Sequence, residues 1–416
     1  NCGTREVVDQ YRGGVVLKKR FDGGHSVRVR GYGLTRDFDT VLPCPFVDQT
    51  AFDRSYYGGG AEYGWAGDLF GRPNRFVAGF EVTTQEDDRQ RFDNSPTGVR
   101  GAVTESALEG VDTWGIYFQN ELLLTDTVAF TISGRFESLD FDLEDKFLTD
   151  GDDSGGTTFE EFTPMAGIVW SPRDWLNLYA NISTSFETPT LNQLDNPAGA
   201  GFNPAVDAQT STNYEIGAKG LVGDRIRYEV AFFTIDLEDE LVPFDVGGDT
   251  FFRNAGESTR AGMELAGQFL VFDGLTATVA YTLNDFEYDR YIASGMVFDG
   301  NDIPGLPEAT FFAELAYRSD TGWYAIWDIL HVGDMFANDN NSVASKVDSY
   351  RVSSLRFGRD FRFQDVTASP FFGVNNLFEE EYFANVRINQ GFNRYFEPAP
   401  DRNVFGGLNV RFPFGR

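Results

Sequence analysis

Several residue types are scarce in this chain, which limits the chemistry that it offers. Its 416 residues include two cysteines, two histidines and four methionines, and 34 basic residues stand against 64 acidic ones. Only His25 and His331 could act as an imidazole base, and nothing in the sequence places a serine and an aspartate around either one. We therefore expect no enzyme. The formal net charge of -30 also disfavours nucleic acid, whose phosphates it would repel.

Long apolar runs are missing as well. No stretch approaches the roughly 20 residues of a membrane-spanning helix, and the mean hydropathy is negative. This does not exclude a membrane, because a strand of a β-barrel shows only every second residue to lipid. Residues 1–6 have no apolar core and do not form a signal peptide. We expect either that processing removed one or that the chain begins partway through a longer protein.

The most informative segment is Val111–Phe141, where two alternating strands meet at Thr125-Asp126. In its first strand, apolar positions alternate with polar or small ones: Trp114, Ile116, Phe118, Leu122 and Leu124 against Thr113, Gly115, Tyr117, Gln119 and Glu121. Such alternation predicts a sheet with one apolar and one polar face. Alternation and turn signals give about seventeen strands of this kind. Their length favours an all-β transmembrane antiparallel β-barrel, with lipid outside and water inside.

Short turns alternate with longer polar connections such as 93–108, as in bacterial outer-membrane barrels, whose short turns are periplasmic. The last strand, Val404–Phe412, then ends in the periplasm. Counting back places residues 1–13 outside the cell. Since single-chain barrels of bacteria have an even number of strands, both ends should lie on one side. We therefore expect the C-terminal part of a larger barrel, with the first strands missing.

Motifs in the later strands resemble those of the TonB-dependent outer-membrane receptors. They follow the family order over roughly residues 160–412, whereas residues 1–110 match only in general character. The motifs are Leu178–Asn181 leading into Ser185–Leu191, Asn213–Gly220, Arg253–Gly256 with Gly262–Glu264, Ile303–Pro307, and Val374–Tyr382.

The resemblance implies a 22-stranded barrel that is filled by an N-terminal plug and that imports scarce nutrients. Residues 1–416 would be its barrel domain, without the plug and the first strands. We expect a ferric siderophore or a similar metal chelate as cargo, the TonB complex as energy source, and the bilayer and lipopolysaccharide of a bacterial outer membrane as surroundings. The alternatives are a passive porin of 16–18 strands, a structural scaffold barrel, or a surface-attachment protein with acidic loops.

Two external loops mix aromatic and hydrogen-bonding groups, namely Asn192–Asn203 and Asn389–Phe396. Aromatic faces with an arginine would hold a planar, anionic metal chelate by stacking and charge. The alternative is that these residues are mobile loop tips or interface aromatics. The candidate substrate-binding residues are Asp195, Phe202, Asn203, Gln390, Arg394 and Tyr395.

Cys2 and Cys44 both fall on external connections. An even cysteine count in an oxidising compartment favours a disulfide between them. Two free thiols, or pairing of Cys2 with a missing segment, are the alternatives.

The segment 150–161 approaches the calcium-loop pattern D-x-[DN]-x-[DN]-G-x₅-E. Asp150, Asp152, Ser154 and Glu161 would be the ligands, with serine where aspartate or asparagine is usual. The flanks read as strands rather than helices, so a solvated polar loop is the alternative. We expect no other cofactor.

Overall fold

The computed structural model describes residues 4–41, 49–95, 98–149, 151–197, 201–246, 249–293, 295–390 and 394–412. Within them it consists almost wholly of strands, with short 3₁₀ helices at Asp22–Gly24, Leu191–Gln193 and Val343–Ser345. No helix in these ranges is long and apolar enough to cross a membrane. The strands are β1 (Arg5–Arg20), β2 (His25–Val41), β3 (Gln49–Leu69), β4 (Arg72–Asn94), β5 (Arg100–Thr125), β6 (Val128–Asp145), β7 (Gly155–Arg173), β8 (Leu176–Glu187), β9 (Gln209–Val222), β10 (Ile226–Val246), β11 (Asp249–Phe272), β12 (Leu275–Arg290), β13 (Ile292–Ala293), β14 (Met296–Val297), β15 (Ala309–Arg318), β16 (Trp323–Val332), β17 (Met335–Phe336), β18 (Lys346–Val347), β19 (Tyr350–Arg359), β20 (Phe361–Phe363), β21 (Val366–Asn375), β22 (Phe383–Val386), β23 (Phe396–Pro398) and β24 (Asn403–Arg411).

One antiparallel meander forms the wall. Strands β1 to β12 pair each with the next, and the order continues through β15, β16, β19, β21 and β24. The sheet has 18 elements. Since β20 continues the line of β19 and both pair with β21, these two count as one strand of the wall. The wall therefore has 17 consecutive strands. This confirms the predicted antiparallel architecture and strand number. Within the described ranges, the outer edges of β1 and β24 have no partner strand. The total of 22 strands stays a prediction.

The sheet has two chemically different faces, as the alternation predicts. In the hairpin of β5 and β6, Tyr117 lies opposite Arg135, and Gly115 lies opposite Glu137. These side chains belong to the polar face, which we call the luminal face. On the other face Ile116 keeps 54% of its surface exposed. A continuous belt of exposed apolar side chains is unsuited to water and suited to lipid.

The two ends of the wall also differ. At one end, which we call the short-turn end, strands are joined by tight turns such as residues 70–71, 126–127 and 273–274. The opposite, long-loop end carries the extended connections and the short pairs β13–β14, β17–β18 and β22–β23. In outer-membrane barrels the short turns are periplasmic, so the long-loop end faces outward.

Tyrosine rings cross the luminal face over glycines. Tyr32 on β2 lies opposite Gly58 on β3, and its hydroxyl donates to the Glu81 carboxylate on β4 at 2.9 Å. A Cβ at Gly58 would lie 2.5 Å from the Tyr32 ring. Arg30 also reaches Glu81, at 3.0 Å. The glycine therefore leaves the space that lets one side chain link three strands.

The same arrangement recurs in mirror image on β5. Tyr117 lies opposite Gly79 on β4, and its hydroxyl donates to Glu62 on β3 at 3.2 Å. A Cβ at Gly79 would lie 2.6 Å from the Tyr117 hydroxyl oxygen. Two tyrosines thus hold β2 to β5 in register.

We expect Gly58→Ala to destabilise the folded wall by about 1–3 kcal/mol, because the added methyl overpacks the Tyr32 ring. The matched control is Gly31→Ala on β2, where a Cβ would meet nothing within 4 Å. Urea midpoints of the protein refolded in lipid vesicles measure the effect. Equal midpoints for the two variants would contradict the assignment of Gly58 as a steric requirement.

Candidate functional site

An arginine and phenylalanine cluster covers the luminal face near the long-loop ends of β2, β3 and β4. We call Arg36, Phe38, Phe52, Arg54 and Arg89 the upper luminal cluster. The guanidinium carbons of Arg36, Arg54 and Arg89 lie 5.9, 5.2 and 5.7 Å from the centre of the Phe52 ring. Phe38 stacks on Phe52 with 4.8 Å between ring centres. Three cations thus surround one aromatic face, an arrangement that favours flat charged groups.

Two of these arginines are neutralised by buried carboxylates. The Arg54 guanidinium donates to both carboxylate oxygens of Asp87, at 2.7 and 2.5 Å. Asp87 is 1% exposed. Arg89 reaches Glu109 at 3.2 Å. The register explains this, because Arg54, Asp87 and Glu109 stand in one row across β3, β4 and β5.

Arg36 differs from them. It faces Arg54 across the β2–β3 pair and forms no ion pair with any residue in the described ranges. Its buried Nε also lacks a hydrogen-bond partner there, as does the Nε of Arg89, so the missing ion pair is what sets Arg36 apart. A buried donor without an acceptor is costly and requires an explanation. Arg36 therefore supplies a positive charge that an incoming anion would neutralise.

A recess of about 480 Å³ opens on the luminal face below the upper luminal cluster. Tyr56 stacks on Tyr32 here with 6.0 Å between ring centres. Arg135 lies in the same recess, paired with Glu137 at 2.5 Å. The recess thus offers aromatic faces, hydroxyls and a paired charge. Its lining residues are Tyr32, Tyr56, Glu81, Thr83, Thr113, Arg135, Glu137, Leu139, Phe186, Glu187 and Thr188.

The first predicted loop packs beside this recess. Leu194 has no exposed surface and lies in an apolar cluster with Phe141 and Phe159, on the luminal face of β6 and β7. An isolated β-bridge joins Asp195 to Phe202, and the Asn203 amide donates to the Leu194 carbonyl at 2.6 Å. The structure thus brings together these three predicted residues of the loop. Phe202 also packs against the apolar cluster.

Burial raises the pKa of Asp195 to about 6, and the neighbouring Glu105 and Asp153 carboxylates add to this, while Arg91 opposes it. Protonation of Asp195 removes a carboxylate charge that is shielded from water and lies close to two other carboxylates. The folded loop consequently binds this proton more tightly than a detached loop would.

The second predicted loop belongs to a separate external platform. The hydroxyl of Tyr395, which is 6% exposed, accepts from the Asn338 side chain at 3.1 Å. Asn389 and Asp339 exchange two hydrogen bonds at 3.0 and 2.9 Å. Tyr395 therefore holds two connections together, and Arg394 beside it is exposed. Gln390 is half-buried.

The predicted calcium loop is only partly described. Asp152 accepts from the Ser154 amide at 3.1 Å, and Ser154 Oγ accepts from the Asp145 amide at 3.0 Å. Glu161 lies within β7, opposite Glu137, about 20 Å along the strand from Gly155 at the usual rise. Asp150 lies outside the described residues. Among the residues that are described, no group of three or more acidic, histidine or cysteine side chains is arranged to hold a metal. Calcium binding stays a prediction.

Cys2 and Cys44 both lie outside the described residues. The disulfide between them therefore stays a prediction.

Sequence reasoning missed the upper luminal cluster, although a signal for it exists. Val27 and Val29 fix the apolar face of β2, and counting on by twos from Arg28 places Arg36 on the luminal face. The same count along β3 and β4 places Arg54 and Arg89 there. What it could not show is which arginines have a carboxylate opposite them, because that depends on cross-strand register.

A family model described as TonB dependent receptor-like, beta-barrel matches residues 5–377. The chain belongs to the TonB-dependent receptor family. Members of this family are outer-membrane transport receptors and not enzymes, and the chain is accordingly a barrel of the bacterial outer membrane.

Named relatives support this placement. The chain is 23% identical over 316 residues to the metal-pseudopaline receptor CntO of Pseudomonas aeruginosa, covering 73% of the chain and 41% of that receptor. Its fold is similar to the ferric citrate transporter FecA, with a TM-score of 0.83 at 15% identity, covering 98% of the chain and 62% of FecA. It is also similar to the siderophore receptor PiuA of Acinetobacter baumannii, with a TM-score of 0.80 at 16% identity, covering 99% and 65%. The chain thus spans less than two thirds of the length of these receptors.

Attachment of the 188–208 loop should depend on pH. Since the pKa of Asp195 is raised in the folded loop, attachment is strongest at low pH, weakens as pH rises from about 4 to 6, and is constant above that. We expect Asp195→Asn to remove this dependence and to slow amide hydrogen exchange of residues 191–206 severalfold at pH 7. Asp207→Asn is the matched control, because Asp207 is an exposed residue of the same loop. A pH-dependent opening that persists in Asp195→Asn would contradict the assignment.

Proposed function

We propose that this receptor imports an anionic metal chelate, such as a ferric siderophore, with energy from the TonB complex. The observation that carries the proposal is the uncompensated Arg36 guanidinium beside the stacked rings of Phe38 and Phe52. It lies on the luminal face, where a cargo entering from outside would first meet the wall. The cargoes that the relatives' names state, ferric citrate for FecA and metal-pseudopaline for CntO, support the same class of ligand.

The physics of the site favours an anionic, flat ligand. A guanidinium that is partly removed from water and has no counter-ion gains most from a hydrogen-bonding anion. The plane of an arginine also stacks on aromatic or chelate rings, which a lysine would do poorly. The chain carries a net charge of -30, so the attraction must be local to these arginines.

The neighbouring recess and loop suit later contacts with the same cargo. Tyr32 and Tyr56 present ring faces and hydroxyls below the upper luminal cluster, where Arg135 is already neutralised by Glu137. We propose that Asp195, Phe202 and Asn203 form the side of the entry, on the loop that packs against β6 and β7. Arg394 and Gln390 would contact cargo from the external platform, and Tyr395 would support them.

The lipid bilayer and lipopolysaccharide are the surroundings that we propose for the wall. The exposed apolar face would contact lipid. Acidic external loops would meet lipopolysaccharide phosphates through divalent cations.

We expect Arg36→Gln to weaken binding of an anionic ferric chelate by about tenfold, because a charge-assisted hydrogen bond is lost. Arg36 has no carboxylate partner, so the change leaves no buried acid unpaired. Arg227→Gln is the control, since Arg227 lies on the luminal face of β10 at the short-turn end. Titration calorimetry with ferric citrate, followed by other anionic ferric chelates, measures the effect in detergent. Equal affinities for both variants and the wild type, with normal folding, would overturn the proposed site.

Energy coupling needs a separate test. In cells that depend on this gene for iron, we expect uptake of the cognate ferric chelate to stop when tonB is deleted, while binding to the cell surface remains. A passive porin would instead carry the chelate at the same rate with and without TonB. Accumulation of radioactive iron, with an unrelated porin substrate as control, distinguishes TonB-dependent import from passive diffusion.

A further inference from the structure

An arginine lies among aromatic rings on the apolar face of the wall, at the short-turn end. Arg359, the last residue of β19, is directly opposite Trp323, the first residue of β16. Its guanidinium carbon lies 5.0 Å from the centre of the Trp323 ring and 4.8 Å from the centre of the Phe361 ring on β20. We call Trp323, Arg359 and Phe361 the girdle site. Two aromatic rings thus hold one cation by cation–π attraction.

The girdle site faces away from the lumen. Side chains two positions apart in a strand share a face. Phe357, two residues before Arg359, is 43% exposed and packs on Phe372 with 5.6 Å between ring centres. Trp323 is itself 51% exposed. Because β16 and β19 are each paired on both sides, neither a domain inside the lumen nor further strands of the wall would cover this group.

The position of the girdle site along the strands matches the headgroup level of a membrane. The turn at residues 319–322 ends directly before Trp323, and the turn at residues 364–365 follows Phe363. Farther from these turns, the same face carries exposed apolar side chains such as Leu315 and Phe357. Aromatic residues form girdles where the apolar belt of a barrel meets the headgroups. Since the short turns are periplasmic, the girdle site would meet the periplasmic leaflet.

The charge of Arg359 is uncompensated within the described ranges. Arg359 forms no ion pair there, and its buried Nε has no hydrogen-bond partner. The adjacent carboxylate of Asp360 lies on the luminal face, where it accepts from Arg318 at 2.5 Å. Arg72, at the same end of the wall, instead reaches Asp126 at 3.1 Å. A guanidinium that is shielded by rings and lacks a counter-ion gains most from an anion that accepts its hydrogen bonds.

A phospholipid meets both requirements of the girdle site. Its phosphate oxygens match the paired donors of a guanidinium, and its acyl chains would cover the apolar side chains beyond Trp323. An arginine at this level keeps its stem on apolar surface and its charge at the interface. A choline headgroup brings its own cation, which competes with Arg359 for the phosphate. A lipid with net negative charge is therefore favoured, whereas free phosphate would gain no apolar contact.

We propose that the girdle site binds the phosphate of an anionic phospholipid in the periplasmic leaflet. This rests on the bilayer that we propose around the wall, and it does not depend on the cargo. The bound lipid would span β16, β19 and β20, whose side chains form the site.

Native mass spectrometry of the full-length protein, purified from outer membranes in detergent and delipidated, tests this proposal. The probes are phosphatidylglycerol and phosphatidylcholine with identical acyl chains. We expect the wild type to bind its first phosphatidylglycerol about tenfold more tightly than its first phosphatidylcholine. Arg359→Gln should abolish this preference, and Arg359→Lys should keep part of it, because the charge remains without the paired donors. The matched control is Arg72→Gln, which removes the same charge from the same end and should keep the full preference.

Several outcomes would overturn the girdle site. They are a wild type without the preference, an unchanged preference in Arg359→Gln, and an equal loss in Arg72→Gln, which would reveal an effect of net charge. If inorganic phosphate at the concentration of the lipid displaces phosphatidylglycerol, the site recognises a free anion and the assignment to lipid is wrong.

Folding and function are checked separately. Heat-dependent gel mobility confirms that each variant is folded. Trp323→Leu keeps both the arginine and an apolar neighbour, and it should weaken the preference severalfold because one ring face is lost. An unchanged preference in this variant would also contradict the site, so the test does not depend on the folding of Arg359→Gln. Since chelate binding is measured through Arg36→Gln, failure of the girdle site leaves the proposed import function intact.

Discussion

The register of the antiparallel sheet is the constraint on which the rest of this structure depends. Side chains alternate with a period of two, so a slip of one residue would turn every luminal charge toward lipid. Tyr32 and Tyr117 oppose such a slip, because each ring fits over one glycine and each hydroxyl reaches one carboxylate on a third strand. Where these contacts fix the register, Arg28, Arg30, Arg54 and Arg89 of the same strands acquire fixed carboxylate partners as well.

The function that we propose depends on where pairing of charge is left incomplete. Across β3 to β5 the register puts a carboxylate beside Arg54 and Arg89, which makes that part of the wall rigid and nearly neutral. Within the described ranges, Arg36 has no such neighbour. Where the neighbouring charges are paired, the wall holds Arg36 in place before a ligand arrives. This preorganisation lowers the entropy cost of binding.

Much of the fold could be predicted from the sequence, since period-two patterning is local information. The 17 consecutive wall strands and their two faces agree with it. The connection expected at 93–108 is largely strand, because β5 begins at Arg100 and its polar residues pair above the apolar belt, as in the contact of Arg91 with Glu105 at 2.9 Å. Hydropathy cannot reveal this extension. Nor could it show that Tyr395 is buried under an asparagine network, because that contact joins residues 57 positions apart.

The acidic composition need not oppose the uptake of anions. At physiological ionic strength the Debye length is about 8 Å, so exposed acidic loops act weakly on an ion that stays farther away. Inside the lumen, the guanidinium groups act at contact distance and in a partly desolvated setting, where the same charges interact more strongly. The net charge of -30 would then act mainly at the exposed surface. In the site that we propose, selection of a cargo would follow from its fit to Arg36 and the rings beside it, so two chelates of equal charge but different shape should differ in affinity through contact geometry alone.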